Sequence, residues 1–175
     1  MSIIYNFGVS ICLVIIQTTI IPVFFNAERV YDLIVTFVIY LGIFCSVRES
    51  ISVIFWVGFI MDYISGTPFG MYISTYFWIL VFIRWITNYI QITNWVLFSI
   101  VIAVGILFEN FICYVSLEIL GVGVKFSKEA VTFVCYQIIG AIFTGPFLLL
   151  FYRYLYSEYS KWITEFVAKR SRSSI

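Results

Sequence analysis

No histidine occurs anywhere in this chain of 175 residues, and charged side chains make up only 11% of it. The first absence removes the commonest general base, the usual proton shuttle and the commonest metal ligand. The second removes the surface of an ordinary soluble domain, which is about a quarter charged. The four cysteines, Cys12, Cys45, Cys113 and Cys135, each sit inside an apolar run and none belongs to a CxxC pair. They read as small apolar filler and give no disulfide or metal framework. The net charge is +1 and no basic stripe lies outside the C-terminal tail, which argues against nucleic acid as a partner.

What is present is hydrophobic. Apolar residues form 63% of the chain and the mean hydropathy is +1.07. A water-soluble fold of this length could not hide so much apolar surface, so a lipid bilayer has to serve as solvent for most of it. A spanning helix needs about 20 mostly apolar residues. Six apolar segments can be marked, at Ile3–Phe25, Val30–Val47, Ser50–Ser65, Phe69–Ile86, Trp95–Leu120 and Ala130–Tyr152. The first lacks a basic n-region and a small-residue cleavage site, so it reads as a retained helix and not as a signal peptide.

The expected fold is therefore an all-α integral membrane protein, a six-transmembrane-helix bundle. It divides into a transmembrane domain, residues 1–152, and a cytoplasmic tail, residues 153–175. With six spans both termini share a side. That side collects Arg48, Arg84, Arg153, Lys161, Lys169, Arg170 and Arg172, against Arg29, Lys125 and Lys128 on the other. The excess places both termini in the cytoplasm. In the tail Leu155, Tyr159, Trp162, Ile163, Phe166 and Val167 share one helical face. This fits an amphipathic helix on the leaflet, and equally a helix that simply continues the sixth span.

Two acids fall where lipid should be, Asp62 in the third segment and Glu109 in the fifth. A carboxylate at the bilayer centre costs about 2.5–3.5 kcal/mol on insertion scales, so each needs a reason. Gly58, Asp62 and Gly66 recur every four residues, as do Gly105, Glu109 and Cys113. Small residues on one face admit a second helix closely, so both acids are expected to point into the bundle. They either pin helices together or serve a partner or small solute, and spacing does not separate the two. Asp32 opens the second span, where a carboxylate in the first turn meets free backbone N–H groups. Gly66-Thr67-Pro68-Phe69-Gly70 is a tight turn that folds the third and fourth spans into a hairpin. Gly145-Pro146 is expected to kink the sixth.

The stretch from Tyr31 to Gly70 resembles the rod shape-determining protein MreD family. The residues that carry it are Tyr31-Asp32-Leu33, then Arg48, then GFIMDYISGTPFG from Gly58 to Gly70. Tyr31 stands where that family usually has proline. The resemblance implies a non-enzymatic scaffold of the bacterial elongation machinery (the rod complex, or elongasome) in the cytoplasmic (inner) membrane. It implies a single-span MreC-like partner, with MreB, RodA and a transpeptidase beyond it, and a role in cell shape and peptidoglycan synthesis. No cofactor or metal is implied. Asp32, Asp62, Gly66, Pro68 and Gly70 carry over, and Gly58 and Glu109 join them as partner-binding or packing positions.

A rival reading is a small-solute-binding S component of an energy-coupling-factor transporter, a group to which MreD-like proteins are similar in fold. Asp62 and Glu109 would then line a vitamin or metal pocket, but the small-residue docking motif typical of such subunits is missing. An intramembrane aspartyl protease built on Asp32 and Asp62 lacks the Gly-x-Gly-Asp around its second acid, since the sequence reads Phe59-Ile60-Met61-Asp62.

Overall fold

The computed structural model describes residues 2–24, 32–66, 68–89, 95–119, 121 and 128–172. Among them every regular element is helical: α1 (Ser2–Ile15), a π-helical turn (Ile16–Ile20), α2 (Ile21–Phe24), α3 (Leu33–Phe44), α4 (Val47–Ser65), α5 (Met71–Tyr89), α6 (Trp95–Ile119) and α7 (Lys128–Arg172). Among the described residues three stretches are long and apolar enough to cross a membrane, Tyr5–Val23, Val96–Ile119 and Val131–Tyr159. Large apolar side chains such as Phe55, Phe59, Trp78, Phe111, Phe143 and Phe147 face outward. A surface of this kind belongs in lipid, because soluble monomers do not leave aromatic faces so bare.

The centre of the bundle is α3. Every residue from Ile34 to Gly42 is buried, and the helix packs against α1, α4, α5, α6 and α7. Around it, α4 pairs with α5 and α6 with α7 as neighbours in sequence and space. Close approach is set by glycine. A Cβ on Gly58 would stand 2.7 Å from Ile73 Cα, and one on Gly105 2.8 Å from Ile39 Cδ1.

Local chemistry fixes the helix ends. Asp32 caps α3, accepting from the Ile34 N–H at 2.8 Å. The expected break at Arg48-Glu49 is displaced: α3 stops at Phe44 and α4 begins at Val47, so both charges lie in the first turn of α4. The reason is a capping pair that hydropathy overlooks. Ser46 accepts from the Glu49 N–H at 3.5 Å, and Glu49 brings negative charge to the helix N-terminus. Ser50 then ties the two helices by donating to the Leu41 carbonyl at 3.0 Å. At its other end α4 stops on Gly66, whose φ of 63° is left-handed.

Pro146 lies inside α7. A proline leaves the carbonyl four residues earlier without its helical donor. That carbonyl, on Ile142, accepts instead from Ser99 Oγ of α6 at 3.3 Å. The tail is backbone-continuous with the last span, since α7 runs through Tyr152 and Arg153 to Arg172. Its first turns lie against the start of α1, with the Tyr5 ring 5.6 Å from Tyr156 and 4.8 Å from Tyr159. The side chains of the tail pattern from Trp162 onward lie outside the described residues, as do the loop Asn26–Arg29, Tyr31, Thr67 and Lys125.

Candidate functional site

Asp62 lies one turn before the end of α4 and is only 3% exposed. Its two oxygens face the start of α5. Oδ2 accepts from the Gly70 N–H at 2.8 Å and Oδ1 from the Tyr72 N–H at 2.7 Å. The first N–H groups of a helix have no intrahelical partner. Asp62 therefore acts as a cap for α5 delivered from the preceding helix. The turn between them makes this possible. Gly66 and Gly70 adopt positive φ of 63° and 92°, and the Met71 N–H donates to the Pro68 carbonyl at 3.2 Å. Gly58, one turn earlier on α4, brings its backbone against Ile73. Asp62, Gly58, Gly66, Pro68 and Gly70 thus form one unit, the α4–α5 hairpin.

Asp32 and Glu109 meet elsewhere. Besides capping α3, Asp32 accepts from the Tyr76 hydroxyl at 2.9 Å through Oδ2. The Gln17 side chain reaches the same carboxylate, and its Oε1 lies 3.3 Å from the Ile34 nitrogen. Gln17 belongs to the π-helical turn of the first span. Glu109, 8% exposed on α6, lies near enough to Asp32 for the two carboxyls to interact. Tyr72 links this cluster to the hairpin: Asp62 holds its N–H, and its ring lies 5.7 Å from that of Tyr76. Thr75 faces Cys113 at 4.0 Å on the same side of α5.

The acids therefore separate by role. Asp32's partners are Ile34, Tyr76, Gln17 and Glu109, whereas Asp62's are Gly70 and Tyr72. Neither Asp62 nor Glu109 lines the cavity of about 250 Å³ bounded by Ser74, Trp78, Phe108, Phe111, Ile112, Val115 and Ser116. Among the described residues no group of three His, Cys, Asp or Glu side chains is placed to hold a metal ion.

Sequence reasoning missed Tyr76, because a tyrosine within the aromatic run Tyr72–Trp78 carries no distinguishing spacing. It used Arg84 only to set orientation and did not foresee that it reaches from α5 to donate to the carbonyl of Cys45, the C-cap of α3. A cation is favoured there by the helix dipole. Gln17 was not singled out as a site residue, since nothing in the sequence announces the π turn that presents it.

The Asp32–Tyr76 bond can be measured by a double-mutant cycle. Asp32→Asn and Tyr76→Phe should each lower stability in mild detergent, with a coupling of about 1–2 kcal/mol between them. Additive losses would mean that the two groups do not act together.

Comparisons with protein-family models, with curated proteins and with solved structures found no match to this chain.

Proposed function

We propose that this protein is a non-enzymatic membrane scaffold of the bacterial cell-elongation machinery, working as MreD-like proteins do. In this reading it is a six-span protein of the cytoplasmic membrane with both termini inside. It binds an MreC-like single-span protein, and through it MreB, RodA and a transpeptidase. It thereby supports cell-shape determination and peptidoglycan synthesis.

The observation that carries the reading is the use made of the motif residues. Gly58, Asp62, Gly66, Pro68 and Gly70 form one hairpin, and both oxygens of Asp62 are taken up by backbone N–H groups. A carboxylate used this way stiffens a surface and is not left for a solute or a catalytic water. That favours a docking scaffold over the transporter and protease readings. The topology draws support from charge. Arg84 meets the end of α3 at Cys45, and Arg153 stands 5.5 Å over the Phe44 ring, so two of the basic residues assigned to the inner side gather at one end of the bundle.

The test is capture from the native membrane. Tagged full-length protein is extracted in mild detergent and its retained partners are identified by mass spectrometry. An MreC-like single-span protein should be recovered in near-stoichiometric amount. Recovery of paired ATPases with a coupling membrane subunit would replace scaffolding with solute uptake.

A further inference from the structure

The open cavity of about 250 Å³ lies between α5 and α6, with Ser74 and Ser116 at the hairpin end and Phe108 at the other. Trp78 and Phe111, both exposed, line its sides. From Phe108 to Ser116 it follows α6 for about 12 Å, or two helical turns. Its walls are fixed. Phe82 stacks on Phe108 with ring centroids 4.5 Å apart, and Thr75 meets Cys113 at 4.0 Å. The first turn of α5 is held by Asp62 through the Gly70 and Tyr72 N–H groups.

Two hydroxyls face this hollow unmet. Thr18, Ser52 and Thr75 each donate to a carbonyl one turn back in their own helix, the ordinary way a helical hydroxyl is satisfied. Ser74 and Ser116 line the cavity, and neither side chain forms a hydrogen bond among the described residues. That narrows the occupant. An acyl chain fills a groove but offers these hydroxyls neither donor nor acceptor. A small solute needs a larger and more enclosed site, of about 300–1,000 Å³. A second copy meeting the groove on a two-fold axis sets hollow against hollow and fills neither. A single helix is convex, supplies side chains over two turns, and can carry a polar group among apolar ones.

We propose that the α5–α6 groove is the docking site for the membrane-spanning helix of a single-span partner. The proposal rests on the scaffold reading above and adds the surface on which the partner sits. The seated helix places a large apolar side chain between Trp78, Phe108 and Phe111. Toward the hairpin it turns a small or hydroxyl-bearing residue to Ser74 and Ser116, where the backbones come close. Asp62 touches no partner in this arrangement. It is a positioning residue, which holds the α5 wall of the groove by capping that helix.

The experiment uses the full chain in its native membrane, with photo-reactive benzoylphenylalanine placed at position 78, 111, 55 or 143. Phe55 and Phe143 are exposed on α4 and α7, away from the groove. Adducts are mapped by mass spectrometry after irradiation. Positions 78 and 111 should join to the membrane-spanning segment of the single-span protein that capture recovers, and positions 55 and 143 should not. The double variant Ser74→Leu, Ser116→Leu fills the groove and should cut recovery of that protein about tenfold. Its thermal midpoint should stay near that of the unaltered chain, since Ser74 is exposed and Ser116 half-buried. Partner adducts at 55 or 143 in place of 78 and 111, or full recovery in the leucine variant, would overturn the groove and leave the scaffold standing. Adducts at 78 and 111 with a second copy, with another protein or with lipid alone would overturn it as well. Failure of the unaltered chain to recover any single-span protein would instead remove the scaffold reading, and this proposal with it.

Discussion

Asp62→Ala should lose about 3–5 kcal/mol of stability, which lowers the thermal midpoint in mild detergent by roughly 10 °C. The substitution removes the acceptor of two backbone N–H groups, those of Gly70 and Tyr72, at 2.8 and 2.7 Å. Both bonds are part-buried, at the turn that joins α4 to α5. Each hydrogen bond to a carboxylate contributes about 1.5–3 kcal/mol, and a donor left without its acceptor adds to the loss. Asp62→Asn separates charge from geometry. It keeps one carbonyl oxygen but turns an NH₂ group toward the second donor, so roughly half of the loss should remain. Tyr63→Ala is the control, because Tyr63 is 85% exposed on the same helix. If Asp62→Ala unfolds no earlier than Tyr63→Ala, the carboxylate does not hold the hairpin. The loss should also extend to partner capture, since a hairpin whose second helix is uncapped no longer presents a fixed surface.

Gly58→Val should be comparably damaging, at about 3 kcal/mol, for a different reason. An added Cβ at position 58 meets Ile73 Cα at 2.7 Å, Ile73 Cγ1 at 2.8 Å and Ile73 N at 3.0 Å. Two of those atoms are backbone and cannot rotate away, so α4 and α5 must separate. Separation pulls Asp62 from Gly70 and Tyr72, and the two substitutions should therefore be strongly non-additive. A double variant no worse than Gly58→Val alone is the expected outcome, read from the same thermal scans. Gly8→Ala supplies the contrast, since nothing lies within 4 Å of a Cβ there. It should be neutral or slightly stabilising, as alanine is the better helix former. Equal effects at positions 8 and 58 would remove close packing as the reason for glycine in α4.

Much of this hairpin could be read in advance. The spacing of Gly58, Asp62 and Gly66 puts small residues and an acid on one face, and a turn rich in glycine and proline follows directly. Burial of Asp62 and Glu109 was legible from the same four-residue pattern. What the pattern did not contain was the partners. Asp62 finds backbone N–H groups eight and ten residues later, which every sequence possesses and none displays. The meeting of Asp32 with Glu109 joins positions 77 residues apart and depends on how α3 is ringed by its neighbours. The start of α4 was misplaced because hydropathy treats Arg48 and Glu49 as a break, whereas Ser46 turns them into a helical first turn. The tail followed the simpler of its two readings in its backbone, continuing α7 without a stop.

The central helix is also the shortest of the long elements. With 12 residues, α3 is about 18 Å long, against about 30 Å for a hydrocarbon slab. A lone helix so short would force the surrounding lipid to thin. Ringed by its neighbours, α3 leaves the bilayer undisturbed, and the mismatch is absorbed within the protein. In the proposed topology its two polar ends, Asp32 with Glu109 and Cys45 with Arg84, are together sunk by about 12 Å below the membrane surfaces. The length of this core helix is therefore matched to its protein neighbours and not to the lipid.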